Sequence, residues 1–202
     1  DRVFTFDWID DFAAARNFSL EQARGQWILV LDADELIAAE DLASLRALLP
    51  SASEDAFILD QLNYSDDPAA RDLQPLREAQ VFGWPYKGFR LNPCARVFRN
   101  RPDIRFTGKV HEVIDLRDGS LPSKALHIPI HHDINGNPDK DRQRRQLNYL
   151  KMMESALRES PDGRLAARAA GVRMYMMQDY AGAIGLLEQA ISLAYEPEIN
   201  RE

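Results

Sequence analysis

Two aspartates separated by one residue, Asp32 and Asp34, are the sharpest chemical feature of the sequence. They follow five consecutive apolar residues, 27–31, a pattern typical of a strand buried on both faces. Open α/β sheets bind ligands at the carboxyl ends of such strands, and carboxylates suit a hard divalent cation that holds a diphosphate. A bare Asp-x-Asp is more often an acidic turn that caps the next helix. The apolar run and the following Glu35 favour the metal site.

The elements around this motif alternate between strands and helices. Apolar spacing predicts strands over 2–6, 27–31 and 56–62, and helices over 12–24 and 39–49. Asp10 or Asp11 can cap the first helix, because a carboxylate there accepts from free backbone N–H groups. The order predicts an α/β layered architecture, with the strand over 27–31 buried in the centre of the sheet.

The pattern changes twice beyond residue 62. Polar residues and two prolines predict a loop over 63–79, and several short β-like runs between 81 and 130 predict short strands over the edge of the sheet. From residue 139 onward the spacing is helical. The helices are predicted over 139–159, 164–178 and 180–194, after a boundary near 136–138. Ala170-Gly171 is expected to let the last two helices approach closely.

Composition excludes several classes of protein. The 202 residues include 25 Lys+Arg and 32 Asp+Glu, a net charge of −7, which argues against nucleic-acid binding. The single cysteine, Cys94, excludes an intramolecular disulfide and fits a reducing compartment. No apolar run approaches the roughly 20 residues of a membrane-spanning helix. We expect a cytoplasmic protein, or one bound peripherally at the inner face of the membrane. The sequence opens without Met, which predicts a piece of a longer protein.

Four motifs in the first 112 residues are informative as a combination: WIDDFAAARN at 8–17, ARGQWILVLDADE at 23–35, RVFRN at 96–100 and FTGKVHE at 106–112. Together they resemble family 2 glycosyltransferases of the GT-A fold, in particular a bacterial subgroup with tetratricopeptide repeats after the catalytic domain. The resemblance implies a partial GT-A sheet over 1–137, without the first nucleobase-binding strands. It also implies an all-helical tail over 138–202, with one tetratricopeptide-like repeat at about 164–197.

The resemblance assigns donor-site roles to four residues. It implies a nucleotide-sugar donor, most readily a UDP-sugar, and Mg²⁺ or Mn²⁺ held by the Asp-x-Asp motif. Asp34 would ligate the metal, and Asp32 would lie near the donor ribose or the metal. Arg16 and Asn17 would lie on a helix beside the donor pocket, although Arg16 is equally expected to form a structural ion pair.

Catalytic roles are implied for residues further along the chain. An inverting transferase needs a general base to take the proton of the acceptor hydroxyl, and Glu112 is the candidate. His111 would contact the donor phosphates or assist proton transfer. His131 or His132 would complete the metal shell, since neutral imidazole can bind metals beside carboxylates. The alternative is that these residues are polar groups of edge strands and loops.

The resemblance therefore implies a metal-dependent glycosyltransferase that moves a sugar from a nucleotide-sugar to a glycan, a lipid-linked glycan or a protein. It also implies inversion at the anomeric carbon, which is the family's usual outcome. Isolated from a longer parent, the chain is expected to be weakly active or inactive. A second hypothesis is a non-catalytic module whose tetratricopeptide-like helices bind a partner protein. A third is a hydrolase using Asp32, Asp34, His111 and His132, which lacks paired metal-ligand spacing such as His-Glu-x-x-His.

Overall fold

A computed structural model describes residues 2–66, 72–76, 84, 86–116, 121–133 and 142–194. The helices are α1 (Phe12–Gln22), α2 (Ala39–Leu48), α3 (Arg142–Glu159), α4 (Gly163–Val172) and α5 (Tyr180–Ala194). The strands are β1 (Trp27–Leu29), β2 (Glu35–Leu36), β3 (Ala56–Ser65), β4 (Gln74–Pro75), β5 (Gly88–Arg99), β6 (Ile104–Thr107), β7 (Val113–Leu116) and β8 (Ser123–His132). The predicted mixed α/β architecture with a helical C-terminal part is confirmed.

The chain divides into two compact units. The helical unit comprises Asp1–Ser19, Phe106–Val113 and Asp139–Glu202, and the sheet unit comprises Leu20–Arg105 and Ile114–Pro138. The boundary predicted near 136–138 lies outside the described residues.

The main sheet has the strand order β1-β5-β3-β8-β2, and β4 pairs with β5. β3 runs antiparallel to β5 and parallel to β8, and the other pairings in this sheet are antiparallel. β6 and β7 form a separate two-stranded sheet. The central strands are therefore β5, β3 and β8, which bring the chain segments around 60, 94 and 130 side by side.

The core of the sheet unit lies where α2 packs on the sheet. Its fully buried residues are Leu45, Phe57, Leu59, Val97 and Ile130. Burying each of these side chains contributes roughly 1.5–3 kcal/mol. β3 supplies two of them because its odd-numbered residues face this core at the two-residue period of a strand.

The central position predicted for 27–31 is wrong. Only Trp27–Leu29 is a strand; it pairs with β5 at one end of the sheet order, and Leu31 is 39% exposed. An apolar run indicates that the faces of a strand are covered, and it does not indicate that both edges are paired. Here Trp27 is covered by the Phe57 ring, 5.6 Å away, and by the Arg99 guanidinium, 4.0 Å from its ring centroid.

Two further strand predictions are corrected. Short edge strands were expected between 81 and 130, but β5 has 12 residues, β8 has 10, and both are central. Residues 2–6 are not a strand; Phe6 instead packs on Phe18 with ring centroids 5.4 Å apart. Within the predicted loop over 63–79, β3 continues to Ser65 and the short β4 is formed.

The helical unit has a core of its own, built mainly by α3 and α4. The buried residues are Val110, Leu150, Met153, Leu157, Ala166 and Ala169. Asp162 caps α4 by accepting from the Leu165 N–H at 2.8 Å. The predicted helix pair is confirmed as α4 and α5, but Gly171 is not its close-contact point, because its Cβ position has open space. Gly163 has that role, since a Cβ there would lie 3.1 Å from the Ala190 carbonyl oxygen.

Within the described ranges, no helix is both long enough and apolar enough to cross a membrane.

Candidate active site

The Asp32–Glu35 turn directly follows the end of β1 and folds back on itself. The Glu35 N–H donates to the Asp32 carbonyl at 3.0 Å, and the Asp32 N–H donates to the Glu35 carboxylate at 2.9 Å. The reciprocal pair fixes the backbone on which Asp32 and Asp34 stand. Their side chains are 38% and 51% exposed, so both carboxylates reach solvent.

Glu35 anchors this turn in the sheet unit. Its side chain is fully buried, accepts from Arg96 Nη2 at 2.5 Å and also accepts from the Gln61 amide. Arg96 extends toward Asp32 as well, with 3.5 Å between Nη1 and Oδ2. Burial is the strongest single influence on the pKa of Arg96 and lowers it, but Glu35, Cys94 and Asp32 together outweigh burial, and the net shift is upward. Arg96 is therefore positively charged and is held next to the turn by its ion pair with Glu35.

His132 faces Asp34 across the turn. The Nε2 atom of His132 lies 3.3 Å from Oδ2 of Asp34, and its Nδ1 atom lies 2.7 Å from Oδ1 of Asn63. Two backbone contacts hold this arrangement: Glu35 pairs with His132 between β2 and β8, and the Asp133 N–H donates to the Asp34 carbonyl at 3.1 Å.

The hydrogen bonds around Asn63 determine which nitrogen of His132 carries hydrogen. The Asn63 amide nitrogen donates to Gln61 Oε1 at 3.3 Å and to the Arg90 carbonyl at 3.5 Å. Its oxygen is then the acceptor that faces His132, so Nδ1 of His132 is the donor. Nε2 of His132 is therefore the nitrogen that faces the Asp34 carboxylate, and it is the ring atom whose lone pair a cation shared with Asp34 could use.

The two adjacent histidines have different surroundings, as alternation along β8 requires. His131 is 7% exposed, and its Nδ1 lies 2.8 Å from the Tyr64 hydroxyl, whose ring stacks on the imidazole. Burial lowers the pKa of His131 and raises that of Tyr64 to about 12. Of the two histidines predicted as candidates for the metal shell, His132 lies beside Asp34, and His131 is engaged in the core.

Arg16 and Glu112 form an ion pair in the helical unit. Arg16 Nε lies 3.0 Å from Glu112 Oε1, with side chains 25% and 14% exposed, and the guanidinium lies 5.7 Å from the Phe106 ring centroid. Asn17 is also engaged, because its amide donates to the Phe106 carbonyl and accepts from the Phe106 N–H, both at 2.9 Å. Both hydrogen-bonding ends of Asn17 are used on the backbone, which indicates a structural role rather than donor contact.

His111 lies beside this pair on a strained backbone. Its φ of 57° falls in the left-handed region, where a non-glycine residue is uncommon. Burial lowers the pKa of His111, Arg168 lowers it further, and Glu112 opposes the shift. The ring lies 6.4 Å from that of Tyr149. A neutral imidazole is therefore the favoured form at this position.

Sequence reasoning missed the residues that support the turn, namely Gln61, Asn63 and Arg96. The signal for Arg96 was its place in the RVFRN motif. The signal for Gln61 and Asn63 was their two-residue spacing on a strand, which puts two amides on one face. Neither signal says which carboxylate the side chain meets.

The donor set at the turn fits a divalent cation shared with a ligand. Among the described residues, no three His, Cys, Asp or Glu side chains converge as a self-sufficient metal site. Mg²⁺ does not need one, because it is commonly bound by one or two carboxylates together with substrate phosphates and water. Asp34 and His132 supply one carboxylate and one imidazole lone pair, with Asp32 adjacent.

Comparison with known proteins decides the family. The model of Glycosyl transferase family 2 matches residues 2–107, which includes the Asp32–Glu35 turn and Arg96. The chain belongs to glycosyl transferase family 2.

The curated relatives include one protein named for its TPR repeats and two named as glycosyltransferases. A TPR repeat-containing protein of Synechococcus elongatus is 44% identical over 110 residues, covering 54% of this chain and 22% of that protein. The glycosyltransferase SunS of Bacillus subtilis and of Bacillus phage SPbeta is 27% identical over 194 residues, covering 92% of this chain and 40% of that protein. The family match and these relatives support glycosyl transfer as the general activity. The chain spans less than half the length of each of these relatives.

Proposed function

We propose that the chain carries the donor-binding turn of a metal-dependent glycosyltransferase that uses a nucleotide-sugar, most readily a UDP-sugar. The observation that supports this most is the close approach of two groups that can both ligate a metal, His132 Nε2 and Asp34 Oδ2, 3.3 Å apart. Asp34 and His132 would hold Mg²⁺ or Mn²⁺ together with the diphosphate of the donor. When bound, the cation neutralises charge that develops on the departing diphosphate.

The chain's own residues have distinct roles in this proposal. Asp34 and His132 hold the cation, and Asn63 keeps Nδ1 of His132 protonated so that Nε2 stays available. Asp32 lies toward the ribose or the metal and is oriented by Arg96. Glu35 holds the turn in place by accepting hydrogen bonds from the Asp32 N–H and from Arg96. These groups are positioned before the donor arrives, which reduces the reorganisation needed at reaction.

The general base is a separate part of the proposal. For an inverting transfer, Glu112 is the residue indicated by the family resemblance, with His111 as its neighbour. The 3.0 Å contact with Arg16 occupies one of the two carboxylate oxygens of Glu112. We therefore regard Glu112 as a weaker candidate for the base than its sequence position suggests, and Arg16 as its structural partner rather than a donor ligand.

A titration of UDP tests the donor site directly. The affinity of the protein for UDP is measured by calorimetry with Mn²⁺ and again with EDTA. We expect binding at least about tenfold tighter with Mn²⁺, because Asp34 and His132 would hold the cation and the cation would attract the diphosphate. The same UDP affinity in both conditions would overturn the metal role, and no UDP binding in either would overturn the donor site.

The acceptor and the whole enzyme belong to the same proposal. The acceptor is a glycan, a lipid-linked glycan or a protein. The relatives are longer than the part this chain matches, which supports a role within a longer enzyme. In isolation the chain should then show weaker transfer than a longer protein that includes it.

A second candidate function is protein binding through the helices. α5 exposes four apolar side chains spaced three to four residues apart, Tyr180, Ile184, Leu187 and Ile191, with exposed fractions of 39–60%. Such a stripe is what a following repeat or a partner protein covers in tetratricopeptide arrays. If binding were the only function, the protein would not respond to UDP and Mn²⁺.

A further inference from the structure

A chain of hydrogen bonds runs through the sheet unit from the buried Glu35 carboxylate to His132, and two amides carry it. Gln61 Nε2 donates to Glu35, and Asn63 Nδ2 donates to Gln61 Oε1 at 3.3 Å. Asn63 Oδ1 in turn lies 2.7 Å from His132 Nδ1. The strands place these groups in line, because Gln61 and Asn63 share one face of β3 and Asn63 lies opposite His132 of β8.

The direction of the first amide is set by Glu35. A carboxylate that is paired with Arg96 accepts hydrogen bonds and donates none, so the nitrogen of Gln61 faces it and the oxygen of Gln61 faces away. That oxygen accepts from Asn63 and, at 2.6 Å, from Asn92 Nδ2. Gln61 is 7% exposed, so little water is available to compensate a reversed amide.

The second amide passes this direction on to the histidine. Because the nitrogen of Asn63 donates to Gln61, its oxygen faces the ring, and Nδ1 of His132 carries the hydrogen between them. In the neutral ring the lone pair is then on Nε2, which lies 3.3 Å from Asp34 Oδ2.

Asp34 by itself would favour the opposite arrangement of hydrogens. With both amides reversed, Asn63 would donate to Nδ1 of His132, and Nε2–H would donate to Asp34. That form satisfies the ring on both sides, but its Nε2 has no lone pair for a metal. It also turns the oxygen of Gln61 toward the Glu35 carboxylate, which leaves two buried acceptors facing each other without a hydrogen.

We propose that Gln61 is a positioning residue, which transmits the acceptor character of Glu35 through Asn63 and holds the hydrogen of His132 on Nδ1. The relay opposes the preference of Asp34 and keeps the lone pair of Nε2 available. The use of that lone pair by a cation rests on the function proposed above, whereas the placement of the hydrogen does not.

The test is the ring ¹⁵N NMR spectrum of His132 in the metal-free protein, at a pH where the ring is neutral. A nitrogen that carries hydrogen and a nitrogen with a lone pair give well-separated signals, and the spectrum of His132→Asn assigns them. The wild type should have its hydrogen on Nδ1. Gln61→Met keeps the size and removes the amide, so Asn63 can reverse and most of the hydrogen should move to Nε2.

Two further variants make the test specific. Asn92→Ala is the matched control, because it removes the other donor to Gln61 but lies outside the path to the ring, and it should leave the hydrogen on Nδ1. Gln61→Met/Asn63→Asp is the rescue. A carboxylate at position 63 accepts without help from Gln61, so the hydrogen should return to Nδ1.

The wild-type spectrum alone can overturn the proposal, whether or not Gln61→Met folds, if it shows the hydrogen on Nε2. A hydrogen that stays on Nδ1 in folded Gln61→Met would also overturn it, and so would a rescue variant that leaves the hydrogen on Nε2. A shift in Asn92→Ala as large as in Gln61→Met would show a general loss of structure in place of a relay.

Mn²⁺ affinity in the presence of UDP connects the relay to the proposed function. If about a tenth of the rings keep the lone pair on Nε2, the apparent affinity falls about tenfold, and the rescue variant should recover part of that loss. A moved hydrogen with unchanged Mn²⁺ affinity would overturn the positioning role. If the wild type has its hydrogen on Nδ1 but binds no Mn²⁺, the proposed donor site fails while the relay stands.

Discussion

In the sheet unit, Asp32 and Asp34 keep 38% and 51% of their side-chain surface exposed, whereas Glu112 in the helical unit keeps 14%. The two aspartates of the turn can stay exposed because a third carboxylate, Glu35, is fully buried and forms the closer ion pair with Arg96. In the helical unit the candidate catalytic carboxylate, Glu112, has no such neighbour to take over its ion pair and is itself the partner of Arg16. A motif rich in carboxylates can thus divide anchoring and ligand binding among its members, and an isolated carboxylate cannot.

The largest effect should come from removing the buried cation under the turn. Arg96→Met leaves Glu35 charged, buried and without its ion pair, which should lower the free energy of unfolding by about 3–5 kcal/mol. Urea denaturation measures it. The control Arg90→Met, at an exposed position of the same strand, should change stability by less than about 0.5 kcal/mol. Adding Glu35→Gln to Arg96→Met should restore part of the loss; no recovery would mean that the pair does not anchor the turn.

Asp34→Asn should separate ligand binding from stability. In a longer protein that includes this chain, glycosyl transfer should fall about 100-fold, or about 2.7 kcal/mol, because the amide keeps the size but loses the charge that would hold the cation. The melting temperature should stay the same or rise slightly, since the repulsion between Asp32 and Asp34 is relieved. Release of nucleoside diphosphate from the donor reports the rate, and Glu40→Gln, an exposed carboxylate on α2, is the control. A variant as fast as wild type at limiting Mn²⁺ would rule out the metal role of Asp34.

The Arg16–Glu112 pair should behave in the opposite way. Glu112→Gln or Arg16→Met should lower the free energy of unfolding by about 1 kcal/mol and change transfer by less than about tenfold, as expected for a partly exposed structural pair. Lys109→Met tests a more exposed pair, with Glu159, and should have a smaller effect on stability. If Glu112→Gln abolished transfer while Arg16→Met did not, Glu112 would be restored as the general base.

The smallest effect concerns the pH dependence contributed by His111. Its pKa is lower in the folded protein, through burial and Arg168, than the ordinary value of about 6.5. The unfolded chain therefore binds more protons between the two pKa values, and the free energy of unfolding should decrease as the pH falls below about 6.5. His111→Asn should flatten this decrease, because Asn tolerates the left-handed backbone and does not titrate. Denaturation midpoints between pH 7.5 and 5 measure it; an unchanged slope would contradict the assignment.

The helices were predictable from the sequence, and the order of strands was not. Helix α5 was located at its predicted residues, and α4 begins within one residue of its predicted start, because helical spacing, the Asp162 cap and the turn before Tyr180 are local signals. The predicted end at 178 differs because α4 ends at Val172 and the chain continues as a π-helix over Arg173–Met177. The position of β5 in the sheet depends on partners far along the chain. Its Pro93 argues against a central strand. The structure accommodates it because β1 and β4 pair only with the two ends of β5, and Pro93 lies between them with β3 as its described neighbour.

The same distinction applies to the candidate site. The Asp32-Ala33-Asp34 turn could be predicted because a single short motif contains it. Its support could not, because Arg96 meets Glu35 across 61 positions of the chain. His131 and His132 are adjacent in sequence and chemically identical, and only their alternation on β8 tells which one faces Asp34.

The central claim is that Asp34 and His132 hold one divalent cation together, and Mn²⁺ affinity in the presence of UDP tests it most directly. Electron paramagnetic resonance measures free Mn²⁺ in wild type, Asp34→Asn, His132→Asn and the double variant. His127→Asn is the control, since that side chain is 95% exposed.

Each single change should weaken Mn²⁺ binding about tenfold or more, and the double variant should be little weaker than Asp34→Asn alone, because two ligands of one ion do not act additively. Wild-type Mn²⁺ affinity in His132→Asn, or full additivity of the two losses, would contradict the claim.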